Sequence, residues 1–359
     1  MNWKRTETFL LCSLFFLLSG RYTPAQSPEW KKDTAAAVAA NQRGEYALAQ
    51  TFYKRAIEVE EKTLGPDSAE VAISLNNIAV LYQDKQMYSQ AEPLYRRAMA
   101  ILEKQPGQEY SLGLTLNNLA SLYHDESLDV SAEPLYKRAL TIWGAMGKKA
   151  GVNEAKALTG LADIYHSQGK DADAEPLYEQ ALIVWYDEGK SESAEAAETD
   201  FRLAEIYQSR SKNVEAQPMY AEALAIWERA GQMETAEAVT SLEKLGEIYR
   251  TQGKYAEAEP LLKQALETKQ SKLGPDHLDV AASLGNLALL YYCESKYTDA
   301  EPLYRRAVEI REKNLGPSDP AVLQTMQFYA ALLRQEGRKT EAQQLETRAA
   351  GTAGEIAHP

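Results

Sequence analysis

Apolar and polar positions recur along this chain with helical spacing almost from end to end. In Ala91-Glu92-Pro93-Leu94-Tyr95-Arg96-Arg97-Ala98, the residues Ala91, Leu94, Tyr95 and Ala98 stand at i, i+3, i+4 and i+7, which is one stripe of an α-helix. A second stripe, Val71, Leu75, Ile78, Ala79 and Tyr82, predicts a preceding helix over about Glu70 to Asp84. The first of these stretches returns at Ala132, Ala174, Ala216, Ala258 and Ala300, with worn copies at Ala49 and Ala342, so successive starts lie 41 or 42 residues apart. A period that tight means one supersecondary unit repeated eight times. The preceding stripe also recurs, as Leu116, Leu119, Ala120 and Tyr123, then Leu158, Leu161, Ala162 and Tyr165, and onward to Leu284, Leu287, Ala288 and Tyr291. Each unit is therefore an antiparallel helix pair. A single pair cannot bury its own faces, and stacking closes the core.

Turns and oversized residues refine this picture. Gly169, Gly253 and Gly337 fall where the first helix must end, as expected of residues that take the left-handed conformation. Pro93, Pro134, Pro176, Pro218, Pro260 and Pro302 stand about five residues after the second helix should begin. The simpler reading is that proline marks the helix start; the other is a slight bend with one carbonyl facing water. Trp143, Trp185 and Trp227 each follow an alanine of the stripe by four residues, in three repeats that lack the Leu-Gly-Pro turn seen at Leu64, Leu273 and Leu315. Large aromatics at helical spacing are usually core, and here each indole is expected to fill the hole a missing leucine leaves. The alternative is an aromatic ladder for sugar or peptide.

The arrangement Leu-x-x-Leu-Ala/Gly-x-x-Tyr, Gly-Lys-Tyr, Ala-Glu-Pro-Leu-Tyr-x-x-Ala-Leu resembles the tetratricopeptide repeat. The 42-residue period with Leu64-Gly65-Pro66-Asp67, Leu273-Gly274-Pro275-Asp276 and Leu315-Gly316-Pro317 resembles the kinesin light chain subtype. The resemblance covers about residues 30 to 350. Period, stripes and resemblance predict an all-α fold, a right-handed superhelical α-solenoid of about eight helix–turn–helix repeats over residues 26–350, with a disordered tail over 351–359. The family serves mostly as a scaffold that grips peptides on a concave surface lined by the first helices. A motor role is not implied, because the chain has no heptad segment for a motor heavy chain.

In this repeat type the first helix shows its second, fifth, sixth, ninth and twelfth positions to the concave side, with Tyr82 and its equivalents as the eleventh. The second repeat then offers Ile73, Asn76, Asn77, Val80 and Gln83, and the third Leu114, Asn117, Asn118, Ser121 and His124. Asn286 repeats the second amide in the seventh repeat. An amide carries donors and an acceptor and can pair with a peptide backbone, and the resemblance implies asparagine at the sixth position in that role; pairing with neighbouring helices or water is the other reading. Repeats four to six replace the amides with Thr159-Gly160, Phe201-Arg202 and Glu243-Lys244, and add Lys156, Asp163, His166, Glu205, Glu247 and Arg250. Arg202, Lys244 and Arg250 are candidates to read acidic side chains, against the plainer reading of a solvated charged face. His124 and His166 share a register in adjacent repeats. No further His or Cys at ligand spacing accompanies them, so no metal site or other cofactor is expected.

The N-terminus changes where such a scaffold would work. Lys4 and Arg5, the apolar run Phe9 to Leu18, and Thr23-Pro24-Ala25 before Gln26 have the order of a secretory signal peptide over residues 1–25. Ten apolar residues are too few to span a bilayer, which takes about 20. Cleavage after Ala25 is expected, with Gly20 the alternative, and the product would be periplasmic or extracellular, with no integral membrane span in the mature chain. The full chain holds 39 Lys and Arg against 52 Asp and Glu, net −13. So acidic a balance argues against nucleic acid or anionic membranes as partners. Beyond Ala25 only Cys293 remains, so no internal disulfide is available. There is no Gly-rich phosphate loop, His-Glu-x-x-His or Gly-x-Ser-x-Gly, and no enzymatic activity is expected. The reading is a non-catalytic scaffold for a protein or peptide partner. The alternative is a structural envelope protein whose arrays self-assemble through their ends or convex faces, and an oligomer is compatible with either.

Overall fold

The computed structural model describes residues 28–147 and 150–356; the segment that carries the export reading lies outside them. Among the described residues there are sixteen α-helices and no strand. They pair as α1 (Glu29–Gln42) with α2 (Tyr46–Leu64), α3 (Ala69–Asp84) with α4 (Tyr88–Leu102), α5 (Glu109–Asp125) with α6 (Asp129–Met146), and α7 (Val152–Ser167) with α8 (Asp171–Asp187). The series continues with α9 (Ala194–Ser209) and α10 (Asn213–Arg229), α11 (Ala236–Thr251) and α12 (Tyr255–Leu273), α13 (Leu278–Cys293) and α14 (Tyr297–Leu315), and α15 (Pro320–Gln335) and α16 (Lys339–Ile356). Contacts divide the described residues into two compact units, with the boundary between Arg202 and Leu203 inside α9. Helix α16 runs to Ile356 rather than stopping before a tail at Gly351.

Within a pair, the turn is made by one residue in the left-handed region. Gly169, Gly253 and Gly337 occupy it at φ of 71, 74 and 79°, as their spacing predicts. At the same place four repeats use a residue with a side chain: Gln86, Ser127, Ser211 and Ser295, at φ of 58 to 61°. The turn is held regardless by bonds such as Met87 N–H to the Tyr82 carbonyl and Lys296 N–H to the Tyr291 carbonyl, both 2.8 Å. The left-handed conformation costs an L-residue about 1–2 kcal/mol, offset by roughly 0.4–1 kcal/mol of extra unfolded freedom that glycine brings. Ser295→Gly is therefore expected to stabilise the second unit by about 0.5–1 kcal/mol in denaturant titrations. A lower unfolding midpoint for that variant would show that the turn is not strained.

The stripes bury as their spacing requires. Ala91, Tyr95 and Ala98 are fully enclosed in the first unit, and Ala300, Tyr304 and Ala307 in the second. Two first-helix glycines make room for large partners. A Cβ on Gly160 would lie 2.5 Å from the Tyr136 ring, and one on Gly113 would lie 2.5 Å from Trp143 Nε1. Trp143, Trp185 and Trp227 are core residues, but not for the reason their sequence context suggests. Leu64 and Leu315 of the Leu-Gly-Pro turns are themselves exposed, so no buried leucine is missing. The register four residues past the stripe alanine is instead filled by Glu60, Leu102, Lys269 or Arg311 in the other repeats.

The prolines do not mark helix starts. Helices α4, α6, α8, α10, α12 and α14 each begin five residues before their proline. The ring therefore sits just past the free first turn and forfeits one helical hydrogen bond.

The residue before each proline also has a task that sequence spacing does not disclose. In the first unit, Tyr123 Oη donates to Glu92 Oε1 of the preceding repeat at 2.8 Å, and Arg96, one turn beyond Glu92, donates to the same oxygen at 2.8 Å. In the second unit, Tyr291 Oη donates to Glu259 at 2.9 Å, and Tyr329, one turn earlier along its helix than the equivalent of Tyr291, reaches Glu301 at 2.9 Å. Arg338 and Arg305 also bind Glu301, at 2.7 and 2.8 Å. Hydrogen bonds from Arg338 first, then from Tyr329 and Arg305, hold the Glu301 carboxyl down at about 2. These clasps tie α4 to α5, α12 to α13 and α14 to α15.

Candidate interaction surface

In each unit the first helices have an open face on which the sixth register position is half-buried or exposed, except at Gly160, which is buried against the Tyr136 ring of α6. In the first unit this position holds Asn77, Asn118, Gly160 and Arg202; in the second it holds Lys244, Asn286 and Phe328. One step along the helix reverses the environment. Asn76 and Asn117, expected beside them on the open face, are 5% and 6% exposed. Asn76 Oδ1 accepts from Asn118 Nδ2 at 3.1 Å, so Asn76 orients Asn118 rather than facing a ligand. Asn117 Oδ1 is buried without a partner: the rung that Asn118 supplies to Asn76 would fall to Gly160, which has no side chain. Phe201 is likewise buried, not open. Asn77 and Asn118 are half-buried and Asn286 is exposed.

Beneath this face the enclosed tyrosines of the second helices point their hydroxyls at its polar residues. Tyr95 Oη donates to Gln83 Oε1 at 2.9 Å, and Gln83 Nε2 donates on to Asp125 at 2.9 Å and Ser121 at 3.3 Å. Tyr178 Oη donates to Asp163 at 2.6 Å. Burial, with Asp84 and Asp125 adding their charge, raises the Tyr95 phenol well above its ordinary range, so it stays a neutral donor. His124 and His166 are each engaged by an aspartate of their own repeat. Each ring Nδ1 sits 2.7 Å from an aspartate at the start of the following helix, Asp129 and Asp171.

The candidate cations differ in their freedom. Arg202 lies 3.9 Å from Asp163 and 4.0 Å from Glu198, and Lys156 lies 3.6 Å from Glu195. Lys244 lies 3.8 Å from Glu247, while Glu243 is taken by Lys269 at 2.7 Å and by Ser283. Arg250 contacts Cys293 Sγ at 3.9 Å and has no carboxylate partner among the described residues. Phe328, 45% exposed in the register where other repeats place amides, was not singled out by its sequence; counting the register through the last repeat would have found it.

The tetratricopeptide repeat profile matches residues 33–104, 111–183, 195–271, 237–313 and 279–352. The chain belongs to the tetratricopeptide repeat family. Solved structures agree with this all-α solenoid class. A kinesin light chain protein of nearly identical TPR-like repeats from Podosopora anserina is 24% identical, with TM-score 0.50, covering 57% of this chain and 98% of that one. BtubC (BKLC) from P. vanneervenii is 25% identical, with TM-score 0.50, covering 64% and 89%. PilF of Pseudomonas aeruginosa shares the fold at 16% identity and TM-score 0.52, covering 70% and 94%. No match was found among curated proteins. Among the described residues, no helix is long and apolar enough to cross a membrane.

Proposed function

We propose that this chain is an exported, non-catalytic scaffold that holds a segment of a partner protein on the open face of its first helices. Tetratricopeptide repeats generally mediate protein–protein interaction, and the export reading rests on the order of Lys4-Arg5, the Phe9 to Leu18 run and Thr23-Pro24-Ala25. The observation that carries the proposal is the half-buried pair Asn77 and Asn118. Asn118 is braced by Asn76 through one amide hydrogen, which leaves its carbonyl and second N–H for a ligand main chain. In the second unit, the exposed Asn286 stands at the same register, and Arg250, without a carboxylate partner among the described residues, takes an acidic side chain. Arg202 and Lys244 select more weakly, because a ligand must first displace Asp163, Glu198 or Glu247.

Co-purification from an envelope fraction with the wild type and with an Asn77→Ala, Asn118→Ala double variant tests this reading. The partner is expected to be retained roughly tenfold less by the variant, the worth of one to two hydrogen bonds. Full retention would make the amides structural. Mass spectrometry of the exported protein should begin near Gln26, and material that still begins at Met1 would overturn the localisation.

A further inference from the structure

Glu60 lies in α2 at the register where other repeats set Leu102, Trp143 and Trp185 into the joint between successive repeats. It is 1% exposed. One carboxyl oxygen, Oε1, accepts from Ser74 Oγ of α3 at 2.9 Å; the other, Oε2, is enclosed without any partner. The surroundings are apolar, with Ile57 one turn earlier in α2 packing against Val71, Ala72 and Leu75 of α3.

The charged groups around Glu60 offer it no relief. Glu70 of α3 and Glu61 of α2 both act on it with like charge. From α4, Arg97 donates to Glu61 at 2.6 Å and to the Pro66 carbonyl. From α1, Asp33 is held by Arg55 at 2.5 Å. A carboxylate in this setting would be a buried charge with one hydrogen bond, whereas a carboxylic acid needs only Ser74 and one proton.

We propose that the first helix pair is docked on the second through an uncharged Glu60, so that α1 and α2 loosen from α3 as the pH rises from acid to neutrality. The device is local, because in a stacked array each repeat contacts only its neighbours. Burial first, and then Glu70 and Glu61, push the carboxyl up from 4.5 to about 7 against the Ser74 hydrogen bond. A group raised in this way stabilises docking fully below 4.5. That contribution drains away as the pH climbs toward 7 and is gone above it.

Hydrogen exchange of the full chain, followed by mass spectrometry and corrected for the intrinsic rate, reads the opening directly. In the wild type the opening constant for residues 29–64 is expected to rise on the order of thirtyfold or more between pH 5 and pH 8. Residues 278–315 serve as an internal reference and should change little. Glu60→Gln keeps the shape without the titration, and Glu60→Leu supplies the side chain of Leu102; both should flatten the profile and protect residues 29–64 at pH 8. A flat wild-type profile would overturn the proposal. So would an undiminished pH slope in either variant, since the titrating group would then lie elsewhere.

Discussion

Tyr178→Ala is expected to destabilise the first unit by about 3 kcal/mol or more, in the range of large-to-small core substitutions. The ring is fully enclosed, with Ala174 and Ala181 of its own stripe buried on either side. Its hydroxyl donates to Asp163 at 2.6 Å, so truncation also removes a donor from a carboxylate on the open face. Tyr178→Phe separates the two contributions: it should cost about 1.5–3 kcal/mol, the worth of a hydrogen bond to a charged acceptor. Denaturant unfolding of the three proteins measures both. Overlapping curves for wild type and Tyr178→Ala would contradict a closely packed inner row of tyrosines.

The second large effect is a coupling. In most exposed helix interiors Gly→Ala gains about 1 kcal/mol, but at Gly113 the new Cβ would stand 2.5 Å from Trp143 Nε1 and 2.7 Å from Cε2. The indole is wholly buried and cannot swing away, so Gly113→Ala should destabilise by about 1–3 kcal/mol. In a Trp143→Leu background, which restores the Leu102 side chain to that register, the same substitution should stabilise by about 0.5–1 kcal/mol. The reversal of sign amounts to an interaction energy of about 1.5–4 kcal/mol in a double-mutant cycle. Simple additivity would mean that the glycine and the indole do not depend on each other.

Much of the fold can be read from the chain because alanine and tyrosine at helical spacing carry packing information directly. Ala91, Tyr95 and Ala98 can be buried together only on a helix whose neighbour comes close. What escapes is what depends on the partner surface. Asn76 and Asn77 are adjacent amides, and a rotation of one residue about the helix axis turns the first inward and the second outward, which composition cannot distinguish. The left-handed turns at Gln86, Ser127, Ser211 and Ser295 lack the glycine that announces Gly169. The role of Glu92 emerges only when Tyr123 of the next repeat is brought beside it. Glu60 reads as one more surface acid until Ser74 and the apolar joint are placed around it. Charge pairing has the same character: Arg202 and Arg250 look alike in sequence, and only the folded chain gives one of them Asp163 and Glu198 as neighbours.

The open faces of the first helices as the partner-binding surface are tested most directly by placement of a photoreactive amino acid. Ile73 and Phe328 lie on those faces of the first and second units and are 39% and 45% exposed, while Ile183, 61% exposed, lies on the second helix α8. After irradiation with the envelope fraction, a crosslinked partner is predicted from the Ile73 or Phe328 position and none from Ile183. Capture from Ile183 alone would contradict binding on the first helices.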